Sequence, residues 1–142
     1  MRTNQLNKAA TEYEESLRID PSFGGIWIKL ADVYARLERI NEARKAYERA
    51  AIVEPDNFYV REAYGRFLYS QGEWASAIGQ WQEAITEDPT NCYLWLNMGS
   101  AYEALGNTAK AREVYTQALS LEVDSSSNCY SIASQRLAAL TP

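Results

Sequence analysis

The 142-residue sequence contains no histidine. This absence excludes Ser-His and Cys-His nucleophiles and every metal site that needs an imidazole ligand. Adjacent carboxylates such as Glu14 and Glu15 remain, but neighbouring residues of a helix point in different directions. Gly24 and Gly25 lack the lysine and the strand that phosphate-binding loops use. We therefore expect no catalytic residue, no enzymatic activity, no cofactor and no metal ion in this chain.

Long apolar runs and a basic excess are missing too. No run approaches the roughly 20 apolar residues of a membrane span, and no signal-peptide core follows the first residues. The formal net charge is −5, which argues against binding to nucleic acid, because phosphates attract basic surfaces. The two cysteines, Cys92 and Cys129, fit no metal-ligand spacing. We expect them to be reduced packing residues, with a disulfide as the alternative, and infer an intracellular, cytoplasmic setting.

What the sequence does contain is a repeat. Pro21, Pro55 and Pro89 stand 34 residues apart, and between them large residues return to large positions and small residues to small ones. A fixed period of this length indicates an array of identical supersecondary units. The first full copy carries Trp27, Leu30, Tyr34, Ala43, Tyr47, Ala50 and Pro55.

Each copy is predicted to be a helix, a turn and a second helix. The recurring residues step by three or four positions, as they do on one face of a helix. A short polar stretch with a glycine, such as Gly72, separates the two halves, and proline cannot continue the second helix. Ser22, Asn57 and Asn91 are expected to cap the helices that follow the prolines.

The residues of the first full copy resemble the tetratricopeptide repeat (TPR). Arg61, Glu38 and Val123 depart from the pattern at its usual tryptophan, turn glycine and closing proline. The resemblance implies an all-α fold, a right-handed α-solenoid of antiparallel helix pairs. We expect one TPR domain over 1–142, from a longer protein. Its predicted parts are the second helix of a truncated repeat (1–22), full repeats (23–57, 58–91 and 92–124) and a capping helix (125–142).

The two ends of this array are predicted to differ. One residue of Asp124–Ser127 should cap the last helix, which covers the final repeat and turns polar residues outward. Its outer side would carry Ser131, Ser134, Gln135 and Arg136. The N-terminal helix lacks its partner and should expose an apolar edge that a longer chain or a second copy would cover. That edge consists of Leu6, Ala10, Tyr13 and Leu17.

The resemblance also implies a function, protein–protein contact through a concave groove lined by the first helix of each repeat. The groove would bind a peptide or protein segment whose identity the sequence does not indicate. Its candidate residues are Ile28, Lys29, Asp32, Arg36, Tyr59, Glu62, Arg66, Tyr69, Tyr93, Leu96, Asn97, Ser100, Glu103, Tyr130 and Ser134. Among them Tyr59, Tyr93 and Tyr130 could equally pack on neighbouring repeats. The alternatives are self-association or a spacer role through the N-terminal end, and recruitment of a substrate for an adjoining enzyme.

Some chaperone adaptors of this family bind a terminal carboxylate through lysine, asparagine and arginine at fixed positions. In one register, the corresponding residues here are Ile28, Asp32, Ala63, Tyr93 and Asn97. One repeat later, they are Glu62, Arg66, Asn97, Ser127 and Ser131. Only Asn97 fits, so a carboxylate clamp for heat-shock chaperones is not expected.

Overall fold

Eight α-helices follow one another in the described part of the chain, a computed structural model that covers residues 2–121 and 127–140. They are α1 (Arg2–Ile19), α2 (Gly24–Arg36), α3 (Ile40–Val53), α4 (Phe58–Ser70), α5 (Trp74–Glu87), α6 (Cys92–Ala104), α7 (Thr108–Ser120) and α8 (Asn128–Ala139). No strand occurs within these two ranges. The predicted all-α helical repeat fold is therefore confirmed.

The helices belong to two compact units, Met1–Tyr64 and Gly65–Pro142, and the boundary lies within α4. In the first unit, α2 packs against both α1 and α3. In the second unit, α6 packs against α5, α7 and α8, and α7 also packs against α8. Helices α2, α4 and α6 begin 34 residues apart, at Gly24, Phe58 and Cys92. The assignment of the chain to a single domain stays a prediction.

Small residues let the paired helices approach closely. Ala111 has no exposed surface. A Cβ atom added to Gly65 would lie 2.4 Å from the indole nitrogen of Trp81, and one added to Gly99 would lie 2.2 Å from the ring of Tyr115. A Cβ atom cannot approach a ring so closely. The absence of a side chain at these two glycines therefore leaves the space that the rings of Trp81 and Tyr115 fill.

A left-handed residue ends the first helix of each pair. Gly72 and Gly106 have φ angles of 77° and 75°, and Glu38 has a φ of 61° at the matching place. The turn geometry is thus the same in all three pairs. The glutamate that departs from the family pattern takes the glycine conformation rather than changing the turn.

Side-chain caps begin four of the described helices, including α7, where the Asn107 side chain accepts from the Lys110 amide at 3.1 Å. The Asn57 side chain accepts a hydrogen bond from the Tyr59 amide at 2.8 Å. Asn91 accepts one from the Tyr93 amide at 3.1 Å. Ser127 caps α8, as expected for the segment before the last helix. The other candidates for that cap, residues 124–126, and the predicted end of the regular array at Val123 lie outside the described residues.

The start of α2 differs from the prediction. Its N-cap residue is Phe23, which makes no side-chain capping bond. Ser22 instead donates its amide and hydroxyl to the carboxylate of Asp20, at 3.0 and 2.6 Å, so the predicted Ser22 cap is wrong. The amide of Gly24, the first residue of α2, donates a hydrogen bond of 2.7 Å to the carboxylate of Glu54. Glu54 is the C-cap residue of α3, so a side chain at the end of α3 takes the place of the missing cap.

Cys92 and Cys129 form a disulfide, so the expectation of reduced cysteines is wrong. Their Cα atoms lie 6.2 Å apart because the first turns of α6 and α8 meet. Both residues belong to a buried cluster that also contains Leu96, Ala111 and Ala133. Reduced cysteine was the basis for predicting an intracellular setting, and that basis is lost. None of the described helices combines the length and the apolar character needed to cross a membrane.

The N-terminal helix exposes less apolar surface than expected. Ala10 and Leu17 are buried, and Leu6 and Tyr13 are half-buried. Helix α2 packs against α1, which accounts for this burial. The continuous apolar edge predicted for α1 is therefore absent from the described residues.

Candidate peptide-binding groove

Two adjoining depressions lie between α4, α6 and α8 of the second unit, with volumes of ≈ 300 and ≈ 290 Å³. They adjoin because Tyr69 and Ser100 line both, and we call them together the groove. The first is lined by Arg66, Tyr69, Trp81, Asn97 and Ser100. The second is lined by Tyr69, Ser100, Glu103, Ala104 and Arg136.

The helical repeat brings these side chains together. Asn97, Ser100 and Glu103 recur every three residues on α6 and so share one face of that helix. Tyr69, on α4, is held beside Trp81, whose ring centroid lies 6.0 Å from its own. Tyr69 keeps 36% of its surface exposed. The groove thus offers an aromatic ring with a fixed position and two short polar side chains next to it.

The α8 end of the groove carries an ion pair. Arg136 Nη1 lies 3.6 Å from Glu103 Oε2, and Glu103 also accepts a hydrogen bond from the Tyr115 hydroxyl. Burial and that hydrogen bond raise the pKa of Tyr115 to about 12, so the hydroxyl remains a donor at neutral pH. Because the arginine is 54% exposed, water screens the pair and it adds little stability. Its charges remain accessible to a ligand.

Five of the predicted groove residues meet in this place. They are Arg66, Tyr69, Asn97, Ser100 and Glu103. Leu96 does not join them, because it is 7% exposed and packs in the core cluster with the disulfide. Tyr93 is 54% exposed at the start of α6. Tyr130 is half-buried and Ser134 exposed on α8, and none of these last four lines either depression.

The predicted residues of the first unit are not brought together in the same way. Lys29, Asp32 and Arg36 are exposed along α2, and Ile28 is half-buried there. On α4, Glu62 is half-buried. Tyr59, also on α4, keeps 75% of its surface exposed, which favours a surface role over packing on a neighbour. Their part in binding stays a prediction.

Arg136 lines the groove although the sequence had placed it on the outer side of the last helix, and that placement is wrong. The cap residues Asn57 and Asn91 stand 34 residues apart, but Asn91 and Ser127 stand 36 apart. The register of α8 is therefore displaced by two residues. Arg136, not Ser134, takes the position that corresponds to Ser100. The sequence signal for this displacement is the position of the cap residue Ser127, which follows Asn91 by 36 residues instead of 34.

A larger cavity of the first unit was missed altogether. It has a volume of ≈ 720 Å³ and lies between α1 and α3, with α2 at its base; we call it the α1–α3 furrow. It is lined by Glu14, Leu17, Arg18, Trp27, Leu30, Tyr34, Glu42, Lys45, Ala46, Glu48, Arg49 and Ile52. None of the predicted groove residues belongs to it. Its base is formed by Trp27, Leu30 and Tyr34 of α2, which recur as packing positions, and by the buried Ala46 of α3.

Antiparallel helix pairs in a fixed 34-residue register define a helical-repeat protein, a class whose members serve as protein–protein interaction modules. Two family models, both described as tetratricopeptide repeat, match residues 28–91 and 81–113. Together they span more than half of the sequence. The chain belongs to the tetratricopeptide repeat family.

Known proteins agree with this assignment. Superkiller protein 3 of Schizosaccharomyces pombe is 27% identical over 118 residues, which are 83% of this chain and 8% of that protein. The chain thus spans about a tenth of the length of the curated relatives it matches.

Solved structures show the same fold. The crystal structure of MamA protein has a TM-score of 0.80 at 20% identity, covering 96% of this chain and 72% of that one. The first TPR of Spaghetti (RPAP3), solved with an HSP90 peptide, has a TM-score of 0.69 at 17% identity. It covers 82% of this chain and 89% of its own.

Proposed function

We propose that the groove of the second unit binds an extended segment of a partner protein, and that the chain has no catalytic role of its own. The observation that carries the proposal is the meeting of Arg66, Tyr69, Asn97 and Ser100 with Arg136 in two adjoining depressions. The repeat register of the sequence independently predicts the first four as groove residues. Family membership supports contact with another protein as the general role.

The shape of the groove favours an extended ligand. Side chains two residues apart in an extended segment point the same way and are roughly 6–7 Å apart, so they can enter two small adjoining depressions. Asn97 and Ser100 can donate to and accept from the peptide groups between them. Tyr69 supplies a flat surface for an apolar or aromatic side chain, the type of residue that often dominates interface energies.

The peptide-bound RPAP3 domain supports this mode of binding but does not identify the ligand. Its peptide, SRMEEVD, belongs to HSP90. Of the clamp positions compared in this chain, only Asn97 carries a matching residue. The proposal is therefore an internal or terminal segment recognised through its side chains and backbone, rather than a chaperone tail held by its carboxylate.

Peptide selection tests the groove directly. The immobilised chain should enrich peptides from a random phage-displayed library. By isothermal titration, the Tyr69→Ala variant should bind the enriched peptides about tenfold more weakly, because it removes the aromatic anchor. Gln117→Ala, at an exposed position of α7 outside the groove, is the matched control and should bind as the unaltered chain does.

Two outcomes would contradict the proposal. One is the absence of any enriched peptide, and the other is equal affinity of the Tyr69→Ala variant and the unaltered chain. Self-association through the N-terminal helix is the less favoured function, because Ala10 and Leu17 are already buried against their own unit. Light scattering that shows a dimer would reverse that preference.

A further inference from the structure

The α1–α3 furrow has a counterpart in the second unit that shows what is particular about it. A cavity of ≈ 220 Å³ lies between α5 and α7, and we call it the α5–α7 furrow. Each residue that lines it stands 68 positions, or two repeat periods, after a residue that lines the larger furrow. Both furrows therefore occupy the same place in the repeat, and their volumes of ≈ 720 and ≈ 220 Å³ go with different side chains at several matching positions.

One of these differences lies at the base. Ala46 in the larger furrow corresponds to Val114 in the smaller one. Valine at this position adds two methyl groups to the floor, so it narrows the space that alanine leaves open. Both residues are buried in their own units, and the fold therefore accepts either side chain here.

The rim differs as well. Ile52 borders the α1–α3 furrow and keeps 65% of its surface exposed, whereas Ser120 stands at the matching position of the second unit. Trp27, which is half-buried, lies in the same furrow. An exposed isoleucine alone needs no explanation, but one that borders a cavity containing a tryptophan makes a continuous apolar surface.

Cationic side chains stand beside this apolar surface. Lys45 and Arg49 are one turn apart on α3, and the Arg49 guanidinium lies 5.7 Å from the centre of the Trp27 ring. The matching positions of the second unit are Glu113 and Gln117. The smaller furrow has its lysine, Lys110, at the position that corresponds to Glu42, where it pairs with Glu113. Positive charge beside the tryptophan is thus found in the larger furrow.

Two of the three carboxylates in the α1–α3 furrow already have partners in the chain. Glu14 accepts the Tyr34 hydroxyl at 2.6 Å. Glu42 accepts hydrogen bonds from the Arg39 guanidinium, which lower the pKa of its carboxyl group. Both carboxylates act on Tyr34, which lies two helical turns along α2 from Trp27, whereas Arg49 lies over the Trp27 ring. The Trp27 end of the furrow, where Glu48 is the carboxylate among the lining residues, is therefore complementary to an anionic side chain.

We propose that the α1–α3 furrow is a second protein-docking site, and that its occupant is a short amphipathic helix of a partner. The helix would place apolar residues on Trp27 and Ile52 and carboxylates beside Lys45 and Arg49. The lining residues of α3 run from Glu42 to Ile52, about 15 Å along the helix axis. About three turns of a bound helix match that length, with apolar anchors spaced by three and four residues.

A pair of designed peptides tests both the shape and the charge. Both are fluorescein-labelled, stapled helices of about four turns with one leucine face. One carries glutamates beside that face and the other carries lysines at the same positions. Fluorescence anisotropy with the full chain should show about tenfold tighter binding of the glutamate peptide, and this preference should shrink as salt is added.

Variants that copy the second unit supply matched controls. Ala46→Val and the double variant Lys45→Glu with Arg49→Gln introduce the side chains that Val114, Glu113 and Gln117 already provide at equivalent positions. Each should weaken binding of the glutamate peptide about tenfold. Tyr69→Ala alters only the groove and should leave it unchanged, so failure of this proposal and failure of the groove proposal are distinguishable.

Equal binding of the two peptides, or no binding of either, would overturn the proposal. Unchanged affinity of the Ala46→Val variant would overturn it too, since the narrower floor must matter if the furrow is occupied. Circular dichroism melting checks that each variant is folded. If the charge-altered variant unfolds, the Ala46→Val result decides alone.

Discussion

At the scale of single residues, the turn inside each helix pair places one residue in the left-handed region. Gly72 and Gly106 occupy it without steric cost, because glycine has no Cβ. Glu38 occupies it with a φ of 61°, where Cβ crowds the following carbonyl oxygen at a cost of roughly 1–2 kcal/mol. The first full repeat therefore contains a local strain that the other two lack.

The substitution Glu38→Gly should raise the free energy of unfolding by about 1 kcal/mol, because relief of the strain exceeds the extra freedom that glycine gains in the unfolded chain. Urea denaturation followed by circular dichroism measures the change. Gly72→Ala is the opposite control, since its added Cβ would meet no atom within 4 Å and only the backbone angle is at stake. It should lower the free energy by a similar amount, and a gain in stability would contradict the assigned geometry.

At the scale of helices, α8 is tied to the array in several ways. The disulfide joins its first turn to that of α6. Near its other end, Arg112 of α7 donates to the Leu140 carbonyl at 2.6 Å. Ala133 packs between them in the core cluster. Because α8 also supplies Arg136, the wall of the groove depends on this attachment.

Replacing both cysteines, as Cys92→Ala with Cys129→Ala, should lower the free energy of unfolding by about 3–4 kcal/mol. The crosslink spans a sequence separation of 37, and its loss frees that loop in the unfolded chain. Thermal melting with and without dithiothreitol gives the check. The reductant should lower the melting midpoint of the unaltered chain and should not change the midpoint of the variant. If the unaltered chain melts at the same temperature with and without the reductant, the crosslink contributes nothing to stability.

The helices could be predicted from the sequence because prolines and recurring small and large residues mark their positions as far as Pro89. After Pro89 no further proline fixes the register, so the 34-residue period predicts Ser134 in the groove, whereas the two-residue displacement of α8 brings Arg136 there. The cysteine pair could not be predicted either, because it depends on which first turns meet in space. At Ser22, competition from the nearby Asp20 carboxylate decided the outcome.

The residues of the candidate site could likewise be predicted only where the repeat register determines their positions. Tyr69, Asn97 and Ser100 were identified because one helical face repeats in a known register. Leu96 was chosen in the same way, but α8 covers that side of α6 and buries it. The α1–α3 furrow escaped notice because its size depends on differences between equivalent positions, such as Ala46 and Val114, and not on the residues that the repeats share.

At the scale of the whole molecule, the chain is a series of helix pairs whose contacts are mainly between neighbours. Stability in such an array is a sum of local terms and nearest-neighbour interfaces rather than the property of one core. A defect in one pair should therefore open that part first. We expect such opening to spread more readily within one compact unit than into the other.

Gly99→Ala should produce this localised opening, because its Cβ would lie 2.2 Å from the Tyr115 ring and the α6–α7 pair must shift at a cost of roughly 1–3 kcal/mol. Amide hydrogen exchange should become faster in α6, α7 and α8 while α1, α2 and α3 keep most of their protection. Gly79→Ala, with no atom within 4 Å of the new Cβ, should slow exchange in α5 or leave it unchanged, since alanine favours the helix. Equal acceleration throughout both units after Gly99→Ala would mean that the chain unfolds as one cooperative body, and that the helix pairs are coupled far more strongly than contacts between neighbours provide.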